Sequence, residues 1–346
     1  MLKRVVFAFL ALLLLVAGVI GFSWRRNVSG PGDSEAIEFV SGEVTLRGVL
    51  MTPQGEGPHP VIVFLHGSGP EEIGIGYYAS ANAFVRAGVA VLAWDKRGAG
   101  ESGGDFETAE FADFIADIHA GLAFLRARED IDRSAIGLFG TSEGAWFSPQ
   151  IAIEDGEIAY IINRVAPTLP WSDVNIYESQ VELRAAGVPE DQIATATDLR
   201  WRIWEYYRDA DAAGDPLPDR RAALEAELAG HEGSTWREHW RMGVAEYGRD
   251  KYARWVRDTF YDPRPWLEQL DIPLLTLYAG ADQNVPTEAS IAELERLRAQ
   301  TGLEVEIIVY PGLRHSMFHW SRLLDAGFPA GYFDAIGEFA ARHSGR

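Results

Sequence analysis

The chain has 346 residues, with 51 acidic against 31 basic side chains and a formal net charge of −20. That charge opposes a phosphate backbone, and no basic patch beyond the N-terminus offsets it, so nucleic acid is excluded as a partner. There is no cysteine, which removes disulfides, thiol catalysis and Cys-based zinc sites, while 47% apolar and 24% charged residues describe a folded globular protein.

In chain order, Lys3 and Arg4 precede an apolar run from Val5 to Phe22, followed by Ser23, Trp24, Arg25 and Arg26. A run of this length lies at the lower edge for spanning a bilayer and is long for the apolar part of a signal peptide. No A-x-A site closes it, and Trp24 with two arginines fits an interfacial anchor. Residues 1–26 are therefore expected to be a membrane anchor or a signal peptide. Either places the body outside the cytoplasm or on a membrane. Residues 27–35, a polar stretch with glycine and proline, read as a linker.

From residue 36 strand and helix signals alternate. Ile37–Val40 and Val44–Leu50 form a hairpin pattern. Val61–Leu65, Val89–Trp94, Ala135–Phe139, Ile158–Val165, Leu274–Tyr278 and Val305–Tyr310 are apolar runs of buried-strand length. Helical patterns at Tyr78–Arg86, Phe111–Arg128, Ala145–Ile153, Ala289–Ala299 and Tyr332–Arg342 separate or follow them. Continuous apolar strands with intervening helices predict an α/β fold, a parallel sheet covered on both faces. In such a sheet, chemistry gathers beyond the carboxyl ends of the strands.

Residues 171–266 interrupt the alternation. They hold seven of the eleven tryptophans and read as helical, over Ala185–Tyr207, Arg220–Leu228, Thr235–Glu246 and Tyr252–Thr259. The chain thus divides into a first core part, 36–170, an insertion, 171–266, and a second core part, 267–346. An insertion at this place is expected to cover the carboxyl edge as a lid. Its aromatic residues, such as Trp171, Trp201 and Trp204, are candidates to line a substrate pocket. The insertion carries 13 basic and 19 acidic residues, a net charge of −6. That balance disfavours strongly anionic substrates and favours neutral ones.

Two G-x-S-x-G matches occur, Gly140–Gly144 and Gly100–Gly104. A nucleophile elbow needs a strand directly before the serine and a helix directly after it. Ala135–Phe139 runs into the first match and Ala145 leads out of it into a helix. The second lies in a loop past its strand. Ser142 is therefore the candidate nucleophile and Ser102 a turn residue. A serine hydroxyl needs a base to take its proton. His315 sits on a loop just past the last strand, at the required edge. His319, four residues on, would complete only half of a zinc site, so no metal and no cofactor is expected. The base needs a carboxylate, and Asp282 lies immediately past the fifth buried strand. Asp271 is on the wrong edge, and Asp262, in the insertion's return, is the weaker alternative. The order Ser142, Asp282, His315 is one of the known triad orders. After the first buried strand comes His66-Gly67-Ser68-Gly69-Pro70, whose glycines allow close backbone approach. The backbone N–H groups of Ser68 and Glu143 are the expected oxyanion donors, with His66 structural.

These motifs resemble those of the α/β-hydrolase superfamily over about residues 36–345: HGSGP at His66–Pro70, DKRGAGES at Asp95–Ser102, GTSEGAW at Gly140–Trp146, GADQNVP at Gly280–Pro286 and RHSMF at Arg314–Phe318. Within it the chain looks like bacterial esterases of the dienelactone-hydrolase and prolyl-oligopeptidase-like branch. The resemblance implies an eight-stranded, mostly parallel sheet, a metal-free serine hydrolase, and Ser142, Asp282 and His315 as its triad. It departs from the family in the size of the insertion. The expected activity is hydrolysis of carboxylic esters of small to medium neutral substrates through an acyl-enzyme. The alternatives are a peptidase or thioester hydrolase with the same residues, or a silent binding protein on the same fold. A peptidase that holds a free amino terminus would need carboxylates near the pocket, for which Glu178, Glu182 and Glu205 are available.

Overall fold

The computed structural model describes residues 32–240, 242–244, 258–319, 321–322 and 326–345, with residues 9, 14–18 and 21 ahead of them. The strands are β1 (Asp33–Ser41), β2 (Val44–Thr52), β3 (His59–Leu65), β4 (Ala90–Trp94), β5 (Ile131–Thr141), β6 (Tyr160–Arg164), β7 (Leu274–Ala279) and β8 (Val305–Tyr310). They form one eight-stranded sheet in the order β1-β2-β4-β3-β5-β6-β7-β8. The hairpin β1–β2 and the β2–β4 pair are antiparallel, and the remaining pairs are parallel.

The strands are apolar throughout because both faces are covered. Along β3, Val61, Val63 and Leu65 enter one core while Ile62 and Phe64 enter the other. This is the two-residue alternation of a pleated strand serving two helical layers at once. Helices α2 (Phe111–Arg126) and α3 (Glu143–Asp155) supply Phe111, Ile118, Trp146 and Ile151 to the first core. Helices α1 (Ile75–Arg86) and α10 (Tyr332–His343) supply Phe84, Ile336 and Phe339 to the second. Each such side chain, fully buried, contributes roughly 1.5–3 kcal/mol relative to exposure.

Between β6 and β7 lie α4 (Trp171–Ala185), α5 (Glu190–Ala213), α6 (Pro218–Gly230), α7 (Thr235–His239), a 3-10 turn at Asp258–Phe260 and α8 (Arg264–Leu267). A single helix over Ala185–Tyr207 does not form. Gly187 takes a left-handed φ of 77° and Pro189 caps the next helix, so one helix ends and another begins across this link. Helix α4 was not predicted because few of its positions are apolar; it buries Ser172 and Ser179 beside Val174, Ile176 and Leu183. The helix expected at Thr235–Glu246 ends at His239, where Trp240 turns to extended backbone and Met242–Val244 carry no helix, and most of Tyr252–Thr259 lies outside the described residues. The insertion has its own core, with Leu199, Trp204, Tyr206, Leu228 and Trp236 buried together. The N-terminal run Val5–Phe22 lies largely outside the described residues, among which no helix is long and apolar enough to cross a membrane. Helix α9 (Thr287–Thr301) completes the second core part between β7 and β8.

Candidate active site

Strand β5 runs straight into Ser142, and α3 begins at Glu143. Ser142 has a φ of 50°, a backbone state that costs a non-glycine residue of order 1–3 kcal/mol. The surrounding structure holds it there: the Ser142 N–H donates to the Arg164 carbonyl at 3.0 Å. The flanking glycines are required by close approach. A Cβ on Gly140 would sit 2.6 Å from Asn163 Oδ1, and one on Gly144 would sit 2.4 Å from the Leu65 carbonyl oxygen. Any larger residue would push the elbow off β3 or β6.

The other two candidate residues come from loops past β7 and β8. The Ser142 hydroxyl lies 3.0 Å from His315 Nε2. His315 Nδ1 donates to Asp282, at 2.9 Å to Oδ2 and 3.1 Å to Oδ1. An ionised carboxylate only accepts, so it selects the tautomer in which Nε2 is free to accept the serine proton. The Asp282 side chain is 1% exposed, and Oδ1 also accepts the backbone N–H groups of Asn284 and Val285 at 2.9 and 3.0 Å. The Tyr177 hydroxyl of α4 donates to the Asp282 carbonyl at 2.9 Å, tying the insertion to the acid loop.

The His66–Pro70 loop is braced from behind. Gly67 N–H donates to Glu71 Oε2 at 2.8 Å, and the Tyr77 hydroxyl donates to the same oxygen at 3.1 Å. His66 is buried, donating one ring nitrogen to the Trp94 carbonyl, with the other 2.5 Å from the Tyr77 hydroxyl. Burial raises the Glu71 carboxyl, but His66, the Gly67 N–H and Tyr77 outweigh it and hold the group below its ordinary value of 4.5. Gly67 N–H being engaged, the loop's next amide is that of Ser68, and both Ser68 and Glu143 line the cleft that holds Ser142 and His315.

One participant was not foreseen. Lys96, in the DKRG stretch after β4, donates to the Gly67 carbonyl at 2.8 Å and to Glu143 Oε1 at 2.5 Å. Both side chains of this ion pair are about 5% exposed or less. The ammonium also stands over the Phe114 ring, 4.3 Å from its centroid. Lys96 thus ties the loop carrying Ser68 to the residue that follows Ser142. Its place in a recognised motif was the available signal, but the partner was not readable from it.

The cleft has a volume of about 910 Å³. Its aromatic wall combines Trp171 of the insertion with Phe111 and Trp146 of the core. Trp201 and Trp204, expected beside Trp171, do not line it. Trp204 is buried in the insertion's core, its ring 5.8 Å from that of Trp171 and 5.3 Å from that of Trp201, so it backs Trp171 and does not itself line the cleft. Of the three carboxylates weighed for an amine site, Glu178 lines the cleft and accepts from Asn284 Nδ2, whereas Glu182 is exposed and Glu205 is elsewhere on α5. Ser102 lies outside the cleft, its hydroxyl accepting the Arg47 N–H at 2.9 Å. Asp262 is engaged by Arg264 at 2.6 Å.

The sequence model of the family described as serine aminopeptidase, S33, matches residues 56–229. Esterase EstD of Thermotoga maritima is 25% identical over 289 residues, 81% of this chain and 60% of that protein. The bifunctional esterase/perhydrolase DCH of Acinetobacter calcoaceticus is 25% identical over 294 residues, 80% of this chain and 93% of that one. The chain spans 43% and 60% of the first curated relatives it matches. Among solved structures, an esterase of Pyrococcus furiosus superposes with a TM-score of 0.57 at 18% identity, covering 93% of this chain and 94% of the other. At that identity the likeness speaks for the fold.

Proposed function

The chain belongs to the serine aminopeptidase S33 family of α/β hydrolases, and on that premise we propose that it is a serine carboxylesterase with Ser142 as nucleophile. The observation that carries the proposal is His315, within 3.0 Å of Ser142 Oγ and 2.9 Å of Asp282. In this reading Ser142 attacks the ester carbonyl while His315 Nε2 takes its proton. Asp282 holds the imidazole and balances the imidazolium. The N–H groups of Ser68 and Glu143 receive the carbonyl oxygen as it becomes an oxyanion, each worth about 2.7–4 kcal/mol in the transition state. His315 then gives the proton to the departing alcohol, and water, deprotonated in turn by His315, cleaves the acyl-enzyme. The esterase names of two relatives covering most of this chain support an ester as the substrate. The cleft suits an acyl group of small to medium size. Helix α4, bearing Trp171 above the triad, acts as part of a lid.

The test is a chain-length series of p-nitrophenyl esters beside aminoacyl amides and acyl-thioesters. Esters are expected to be the fastest class. Ser142→Ala should abolish turnover and labelling by a fluorophosphonate, while Ser102→Ala retains both. Labelling that survived Ser142→Ala would place the nucleophile elsewhere.

A second reading, an aminopeptidase, is favoured by Glu178. It lines the cleft beside Asn284, in the same cleft as His315, and could meet a substrate ammonium. Faster aminoacyl amides than esters in the same series would select it. The Val5–Phe22 run, with Trp24, Arg25 and Arg26 after it, supports an enzyme held at or exported across a membrane.

A further inference from the structure

Arg164 ends β6, and its carbonyl already receives the Ser142 N–H. Arg164 lines the same cleft as Ser142 and His315, and its guanidinium lies beside the ring of Phe328, which lines that cleft too. Strand alternation puts Tyr160, Ile162 and Arg164 on one side of the sheet, the side covered by α1 and α10. Trp171 and Val174 belong to the other side. The reacting serine therefore lies between an apolar wall and a cation.

Two groups beside that cation are neutral. Its Cζ is 5.7 Å from the Phe328 ring centroid, and the Tyr332 hydroxyl is within hydrogen-bonding reach. Among the described residues no carboxylate forms an ion pair with Arg164, and its Nε is buried without a hydrogen-bond partner. Of the carboxylates that line the cleft, Glu143 pairs with Lys96, Glu71 accepts from Gly67 N–H and Tyr77, Glu178 accepts from Asn284 and Asp258 accepts the Phe111 N–H, with Glu107 the fifth. In a chain of net charge −20, acidic side chains are abundant, yet among the described residues none forms an ion pair with this guanidinium. A half-buried cation left in this way is satisfied when a bound molecule supplies the counter-charge.

We propose that Arg164 binds a carboxylate carried by the substrate, so that the enzyme acts on esters with one anionic end; this rests on the esterase reading of Ser142. The planar fork of a guanidinium matches a carboxylate through two parallel N–H···O bonds. A phosphate dianion fits less well, because Glu71 and Glu178 line the same cleft and each further negative charge meets them. The negative insertion acts on polyanions approaching from solvent. A single carboxylate seated on Arg164 is a contact within the cleft, and the expectation of a wholly neutral substrate gives way to one with a neutral and an anionic end.

The experiment compares matched esters on the full chain. One pair is p-nitrophenyl hydrogen glutarate and p-nitrophenyl methyl glutarate, with the charge on the acyl side. The other is 4-butyryloxybenzoate and its methyl ester, with the charge on the alcohol side. In one of the pairs the anionic ester should have the higher kcat/KM, through a lower KM. Arg164→Gln should lower the anionic-to-neutral ratio by about 10- to 100-fold, the range for one charge-assisted hydrogen-bonded pair. Arg164→Lys should retain part of it. The wild-type ratio should also fall as salt rises from about 20 to about 500 mM. A ratio below one in both pairs, or one unmoved by Arg164→Gln, overturns the proposal. Should Arg164→Gln not fold, Arg164→Lys and the salt dependence decide. Calorimetry with monomethyl glutarate on Ser142→Ala, with and without Arg164→Gln, tests Arg164 apart from turnover. Binding that needs Arg164, in a protein that cleaves no ester, keeps the carboxylate site and removes the esterase reading.

Discussion

Lys96 reaches two loops at once, and its removal separates stability from rate. Lys96→Met would leave Glu143 buried without its cation, a loss of about 3–5 kcal/mol. It would also free the Gly67 carbonyl, letting the Ser68 and Glu143 amides drift, so kcat should fall more than KM rises. Adding Glu143→Gln to Lys96→Met should recover much of the stability, since no unpaired charge remains, without restoring kcat. Urea unfolding and steady-state kinetics on the parent and the two variants read this. Recovery of both quantities together would reduce the pair to a brace. Glu71 makes a second residue-scale prediction. Its carboxyl is held below its ordinary value, so its contribution to folding is complete above about pH 4.5 and is lost as pH falls through the depressed value. The fall of thermal stability below that pH should be shallower in Glu71→Gln than in the parent.

At the scale of the element, α4 and α5 divide the insertion's tryptophans between two tasks. Trp171, at the start of α4, faces the cleft, while Trp204, on α5, is 3% exposed. Trp171→Ala removes part of the apolar wall and enlarges the cleft, and such pockets discriminate by roughly 1–3 kcal/mol per methylene-sized change. The preferred acyl chain should lengthen, with acetyl-ester turnover kept within about an order of magnitude. Trp204→Ala should instead cost about 3–5 kcal/mol of stability as a large core side chain is deleted. Its chain-length profile should stay that of the parent. The ester series and thermal unfolding distinguish them; an equal loss over all chain lengths in Trp171→Ala would make α4 a support and not a selector.

For the whole molecule, the sheet begins at β1, whose register with β2 runs from Asp33 opposite Thr52 to Ser41 opposite Val44. All the candidate catalytic groups come after it. A chain starting at Gly32 should therefore fold with unchanged kcat/KM and appear in the soluble fraction, whereas the full chain should sediment with membranes. Fractionation followed by ester assay reads both. Equal partition of the two chains would remove the anchor.

The strands, their covering helices and the elbow were legible because each is written locally. Apolar runs mark β3 to β8, a serine between two glycines joins a strand to a helix, and Asp282 and His315 stand on the loops after β7 and β8. Reading those loops as one edge led to three side chains within hydrogen-bonding distance. The break at Gly187–Pro189 was also written locally, but the polar sequence of α4 hid the helix before it. What tertiary structure alone decided depends on which strands are neighbours. Lys96 and Glu143 are 47 residues apart and meet because β4 and β5 flank β3. Trp171 faces the cleft and Trp204 the insertion's interior because three packed bodies, and no single periodicity, choose the faces of α4 and α5. Arg164 is one residue of an apolar strand by its pattern. It becomes a cation beside Ser142 only when β5 and β6 lie side by side, with no carboxylate brought to meet it among the described residues.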